Sequence, residues 1–73
     1  MPRHLEKRSF TLAGHRTSVA LEPAFWSALE AEAARRGLIL ARLVAETDAA
    51  RDGPTVPLAS ALRILALDAA RRP

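Results

Sequence analysis

Seventy-three residues allow one small domain, and no run approaches the ~18 uninterrupted apolar residues of a membrane span. The absence of cysteine excludes a disulfide-stapled scaffold, a zinc finger and thiol chemistry. The net charge of +3 lies wholly in the first 21 residues, where Arg3, Lys7, Arg8 and Arg16 stand against Glu6 alone, while residues 22–73 hold seven basic and seven acidic residues. A basic segment on a neutral body points to a polyanionic partner.

Hydrophobic residues make up 49% of the chain, but 16 of them are alanine and only Phe10, Phe25 and Trp26 are aromatic. The core must therefore be built mainly from eleven leucines. A chain this short buries only about 60% of its unfolded surface, and nothing staples it. A homodimer is expected to supply the missing core. The basic start, Met1 to Arg8, is not followed by a secretory apolar segment, so a cytoplasmic location is expected.

In chain order, residues 1–6 are expected to form a flexible arm in which His4 has no role. Residues 7–21 alternate apolar and polar side chains with period two, the signature of strands. Gly14-His15 suits a two-residue type II′ turn, which sets Leu12 opposite Thr17, Phe10 opposite Val19 and Ser9 opposite Ala20. One face then carries Phe10, Leu12, Thr17, Val19 and Leu21, and the other Ser9, Thr11, Ala13, Arg16, Ser18 and Ala20. The segment before Gly14 is open to two arrangements: it pairs with 16–21 as a hairpin, or Lys7 to Leu12 is itself a strand between subunits.

Three helices follow. The first, 23–36, opens on Pro23, tolerated at the first helical position, and stops at Gly37. Its inner stripe is predicted as Phe25, Ala28, Leu29, Ala33 and marginally Glu32, with Trp26 packing beside it and Glu30, Arg35 and Arg36 outward. The second, 40–51, sets Leu40, Leu43, Val44 and Thr47 on one side, and Asp52-Gly53-Pro54 breaks it. The third, 58–71, is apolar around most of its circumference through Leu58, Ala61, Leu62, Ile64, Leu65 and Leu67, which calls for burial on most sides.

A short alternating strand before two helices, with glycine closing the first, resembles the ribbon-helix-helix DNA-binding proteins. The resemblance rests on Arg16-Thr-Ser-Val-Ala-Leu-Glu-Pro, on the helix carrying Phe25, Trp26 and Leu29, on Arg35-Arg36-Gly37-Leu38, and on Leu43-Val44. The string from Lys7 to Arg51 looks like a small bacterial subfamily in which a segment similar to Leu58-Ala-Ser-Ala-Leu-Arg follows. This implies a mainly α fold: one domain over 1–73, a short N-terminal β-ribbon and a third helix, in an intertwined homodimer. The resemblance further implies that strands of two chains pair into a ribbon that enters the major groove of double-stranded DNA.

On that reading Arg16, Ser18 and Ala20 face the bases, a symmetric dimer reads a palindromic or repeated site, and Lys7, Arg8, Ser9, Thr11 and His15 add contacts. The family also holds a phosphate at the start of its second helix, usually with a Ser or Thr cap. Here Ile39-Leu40-Ala41 supplies no hydroxyl, and Arg42 is near enough to supply a contact instead. Val19, Leu21, Leu43, Val44, Leu62 and Leu65 are the expected dimer interface. The alternative function is a protein-interaction or antitoxin-like adaptor dimer that offers its apolar third helix to another protein. No nucleophile with a base, carboxylate pair, phosphate loop or metal-ligand spacing stands in the sequence, so no enzyme activity, cofactor or metal is expected.

Overall fold

The computed structural model describes residues 4–53 and 55–72; residues 1–3 of the expected arm and Pro54 of the expected break lie outside them. Two antiparallel strands, β1 (Glu6–Leu12) and β2 (His15–Leu21), precede three helices, α1 (Pro23–Arg35), α2 (Leu40–Ala50) and α3 (Leu58–Ala70). Each helix ends one residue earlier than the sequence pattern suggests, and Glu6, assigned to the arm, opens β1.

The strands pair within one chain, which decides the first of the two arrangements left open. The turn, however, is Ala13-Gly14 and not Gly14-His15. Both residues have positive φ, 51° and 82°, the requirement of a type I′ turn, whose twist matches that of the flanking strands. The register follows: Phe10 lies opposite Thr17, Ser9 opposite Ser18, and Thr11 opposite Arg16. This is a slip of two residues from the expected pairing, and an even slip leaves every side chain on its expected face.

Phe10, Leu12, Val19 and Leu21 are buried under the helices. Trp26 is the centre of the α1 contact, 1% exposed, with its ring centroid 5.9 Å from that of Phe10. Leu29 and Ala33 continue the buried stripe, while Phe25 and Ala28 pack at its margin; the stripe is rotated toward Trp26 from the sequence-based assignment. A Schellman-type ending closes α1, in which Leu38 N–H reaches Ala33 O at 2.8 Å and Gly37 N–H reaches Ala34 O at 3.0 Å. Gly37, at φ 73°, supplies the left-handed residue this ending needs.

Leu43 and Val44 of α2 and Leu58, Leu62 and Ala66 of α3 complete the core. Arg63 locks α3 against the start of α1: its guanidinium bonds the Glu22 carboxylate at 2.9–3.0 Å and lies 5.7 Å from the Phe25 ring centroid. Val19, Leu21, Leu43, Val44 and Leu62, assigned from sequence to a dimer interface, are thus core side chains of the single chain. β1 and α3 cover part of this surface within one chain. Leu65 is half-buried.

Candidate nucleic-acid interface

Because the hairpin buries one face, it must present the other. Lys7, Ser9, Thr11, Arg16 and Ser18 are exposed there and Ala20 half-exposed, arranged as three cross-strand pairs: Lys7 with Ala20, Ser9 with Ser18, and Thr11 with Arg16. The central hydroxyls are hydrogen-bonded to each other at 3.0 Å.

The charges of this face differ from those of the helices. Arg35 and Arg36 pair with Glu32, Arg42 with Glu46, Arg51 with Asp48, and Arg63 with Glu22. Lys7 and Arg16 have no acidic partner among the described residues. An exposed cation with no partner is available to an external anion at no cost of a broken pair. Among the described residues Arg71 and Arg72 are also without an acidic partner, at the C-terminal end of α3, where the helix dipole favours a cation.

Two residues assigned to the interface lie elsewhere on the hairpin. Arg8 shares the face of Phe10 and Leu12 and bridges strand to helix: its side chain bonds Glu6 at 2.6 Å and Glu30 at 2.8 Å and lies 4.9 Å from the Trp26 ring centroid. Beside it, Trp26 Nε1 donates to the Glu6 carbonyl at 2.7 Å. Arg8 is therefore a strap between β1 and α1, and the two-residue period shared with Phe10 and Leu12 was the signal for it. His15 lies opposite Leu12 and so is also turned away from the Lys7–Arg16 face.

Arg42 stands in the first turn of α2, exposed and 3.1 Å from Glu46. No side chain caps this helix start, so its first N–H groups are left for solvent or an anion. An exposed arginine–glutamate pair of this kind stabilises by at most ~1 kcal/mol and is readily exchanged for a phosphate.

The remaining ionic cluster is structural. Glu32 is buried, and hydrogen bonds from Arg35 and then Arg36 hold its carboxyl at about 2, well below the usual carboxylate range. Ile64 and Leu67 of α3 are 58% and 54% exposed, and Ile64 lines an open groove of about 510 Å³ between α2 and α3. The fully buried residues of α3 are Leu58, Leu62 and Ala66, with Ala59 and Leu65 packed at the margin of the core. Among the described residues no group of histidines and carboxylates is placed to hold a metal, and no helix is long and apolar enough to cross a membrane.

The family described as ribbon-helix-helix domain matches the chain over residues 5–70, from the segment just before β1 to the end of α3. The chain belongs to this family of DNA-binding regulators, whose members are typically dimeric and non-enzymatic. Here the ribbon and two helices are joined by a third helix within the matched segment. No curated protein and no solved structure matches the chain.

Proposed function

We propose that this protein is a sequence-specific DNA-binding regulator that inserts its hairpin, exposed face first, into the major groove. The observation that carries the reading is the pair of cations Lys7 and Arg16, without an acidic partner among the described residues, on the open face of a two-stranded ribbon. A two-stranded ribbon fits the major groove, and side chains from it reach base edges there.

Each side chain then has a role set by its chemistry. Arg16 reaches guanine O6 and N7 with two N–H donors, the commonest specific contact. Ser9, Thr11 and Ser18 bond base edges or phosphate oxygens, Ala20 meets a thymine methyl, and Lys7 neutralises a phosphate. Arg42 and the uncapped start of α2 hold a second phosphate.

The test is selection of binding sites from random-sequence duplex DNA, read by sequencing, at about 50 and 200 mM salt. A short motif that persists at the higher salt is expected. Enrichment that disappears at the higher salt without a motif would reduce the ribbon to general counterion-release attraction. A protein-binding adaptor working through α3 has the exposed Ile64 and Leu67 in its favour, but it gives the free cations of the ribbon no use.

A further inference from the structure

We infer that the Ser9–Ser18 hydroxyl pair at the centre of the ribbon reads an adenine, about two base-pair steps from the guanine met by Arg16. The inference rests on the DNA-binding reading above and names a second base of the element.

Ser9 and Ser18 are directly opposite each other in the register, and both are exposed on the open face. Partners in this position hold their Cβ atoms ~4.5–5.5 Å apart. Two short hydroxyl side chains therefore meet, and their Oγ atoms are 3.0 Å apart. Among the described residues neither side chain has another hydrogen-bonding partner. A hydroxyl carries one donor and two acceptor lone pairs. The bond between the serines uses the hydrogen of one and a lone pair of the other. The pair is left with one free O–H donor and, beside it, one oxygen that can only accept. Either oxygen can be the donor, so the order of the two follows the ligand.

That combination selects among base edges. Adenine sets the N7 acceptor next to the N6–H donor, the pattern that one asparagine or glutamine amide matches with its own donor and acceptor. Here the free O–H donates to N7 and the other oxygen accepts from N6–H. Guanine presents two acceptors, N7 and O6; meeting both takes two donors, and the pair has one unless its internal bond is broken. Thymine O4 is an acceptor alone and cytosine N4 a donor alone, so each engages half of the pair. Neither neighbouring cross-strand pair, Thr11 with Arg16 or Lys7 with Ala20, has this make-up. Ser18 lies two residues beyond Arg16, ~7 Å along the strand, which is about two base-pair steps at ~3.4 Å each. The reading belongs to each ribbon, so a dimer repeats the guanine–adenine spacing in both halves of its site.

The test repeats the duplex selection with the wild-type chain and with the double variant Ser9→Ala, Ser18→Ala, and then alters the adenine of the selected duplex. 7-Deazaadenine lacks the N7 acceptor, and N6-methyladenine covers the N6–H of the major groove; both keep their pairing with thymine. The wild-type chain is expected to select adenine about two steps from guanine and to lose affinity on the order of tenfold with either analogue. The double variant is expected to keep the guanine, lose the adenine and bind the three duplexes alike. Another base or none at that position, a loss with only one analogue, or an adenine retained by the double variant would each overturn the inference and leave the DNA reading standing. Loss of both preferences in the double variant would make the serines a support of the ribbon's shape and overturn it too. Selection of no motif by the wild-type chain would overturn the DNA reading and the adenine contact with it.

Discussion

The ribbon and the helical body carry similar residues and use them differently. On the helices, the arginines from Arg35 to Arg63 are each matched to a carboxylate, and the charge they bring is spent in holding the fold. On the open face of the ribbon, Lys7 and Arg16 are matched to none among the described residues. Arg8 marks the boundary between the two uses, since it is a ribbon residue by position and a body residue by its contacts with Glu30 and Trp26. An arginine count therefore says little about where a polyanion binds; the partners of each arginine say much more.

The strongest perturbation is on the body side of that boundary. Trp26→Ala removes the fully buried ring that joins α1 to β1, and a loss of ~3–5 kcal/mol is expected in chemical denaturation. Retained stability would mean that the Trp26 ring is not what holds β1 in place. Trp26→Phe keeps most of the packing and removes the hydrogen bond to the Glu6 carbonyl, so a loss of ~1 kcal/mol is expected from the same measurement.

At the turn, Ala13 occupies a left-handed conformation, φ 51°, that costs an ordinary L-residue ~1–2 kcal/mol. Asparagine tolerates this region, so Ala13→Asn is expected to raise the melting temperature through a gain of ~1 kcal/mol; a fall would place the turn elsewhere. On the open face, Lys7→Ala is expected to leave stability unchanged and to reduce the slope of log affinity against log salt by about 1. An unchanged slope would show that Lys7 meets no phosphate.

The weakest effect is confined to acid. The Glu32 carboxyl is held down at about 2 by Arg35 and Arg36, so it favours the folded state while ionised. Its contribution is complete above the unfolded-state value of about 4.5 and is lost as the pH falls toward about 2. Glu32→Gln is expected to flatten the decline of stability over that interval, measured by denaturation at several pH values. A decline of undiminished steepness would assign it to other carboxylates.

These contrasts also mark what the sequence conveys. The two faces of the hairpin were legible because a period of two survives a register slip of two residues, and the helices because their apolar spacing and the Gly37 stop are local signals. The turn was not, since Ala13-Gly14 lacks the asparagine or aspartate that advertises a type I′ turn. The role of Arg8 depends on Glu30, 22 residues away, and the docking of α3 on Glu22 of the α1 start spans 41 residues. Neither link leaves a periodic trace, so the packing of β1 and α3 on the rest of the chain is not legible in the sequence.

The most direct measurement compares two variants of equal charge. Arg16→Ala and Arg35→Ala each remove one exposed arginine, the first from the open ribbon face and the second from a helix where Arg36 still holds Glu32. Their affinities for the duplex selected by the wild-type chain are measured at one salt concentration. A loss on the order of tenfold or more for Arg16→Ala, with little change for Arg35→Ala, is the expected result. Equal losses from the two would contradict the assignment of DNA recognition to the ribbon and leave net charge as the only determinant.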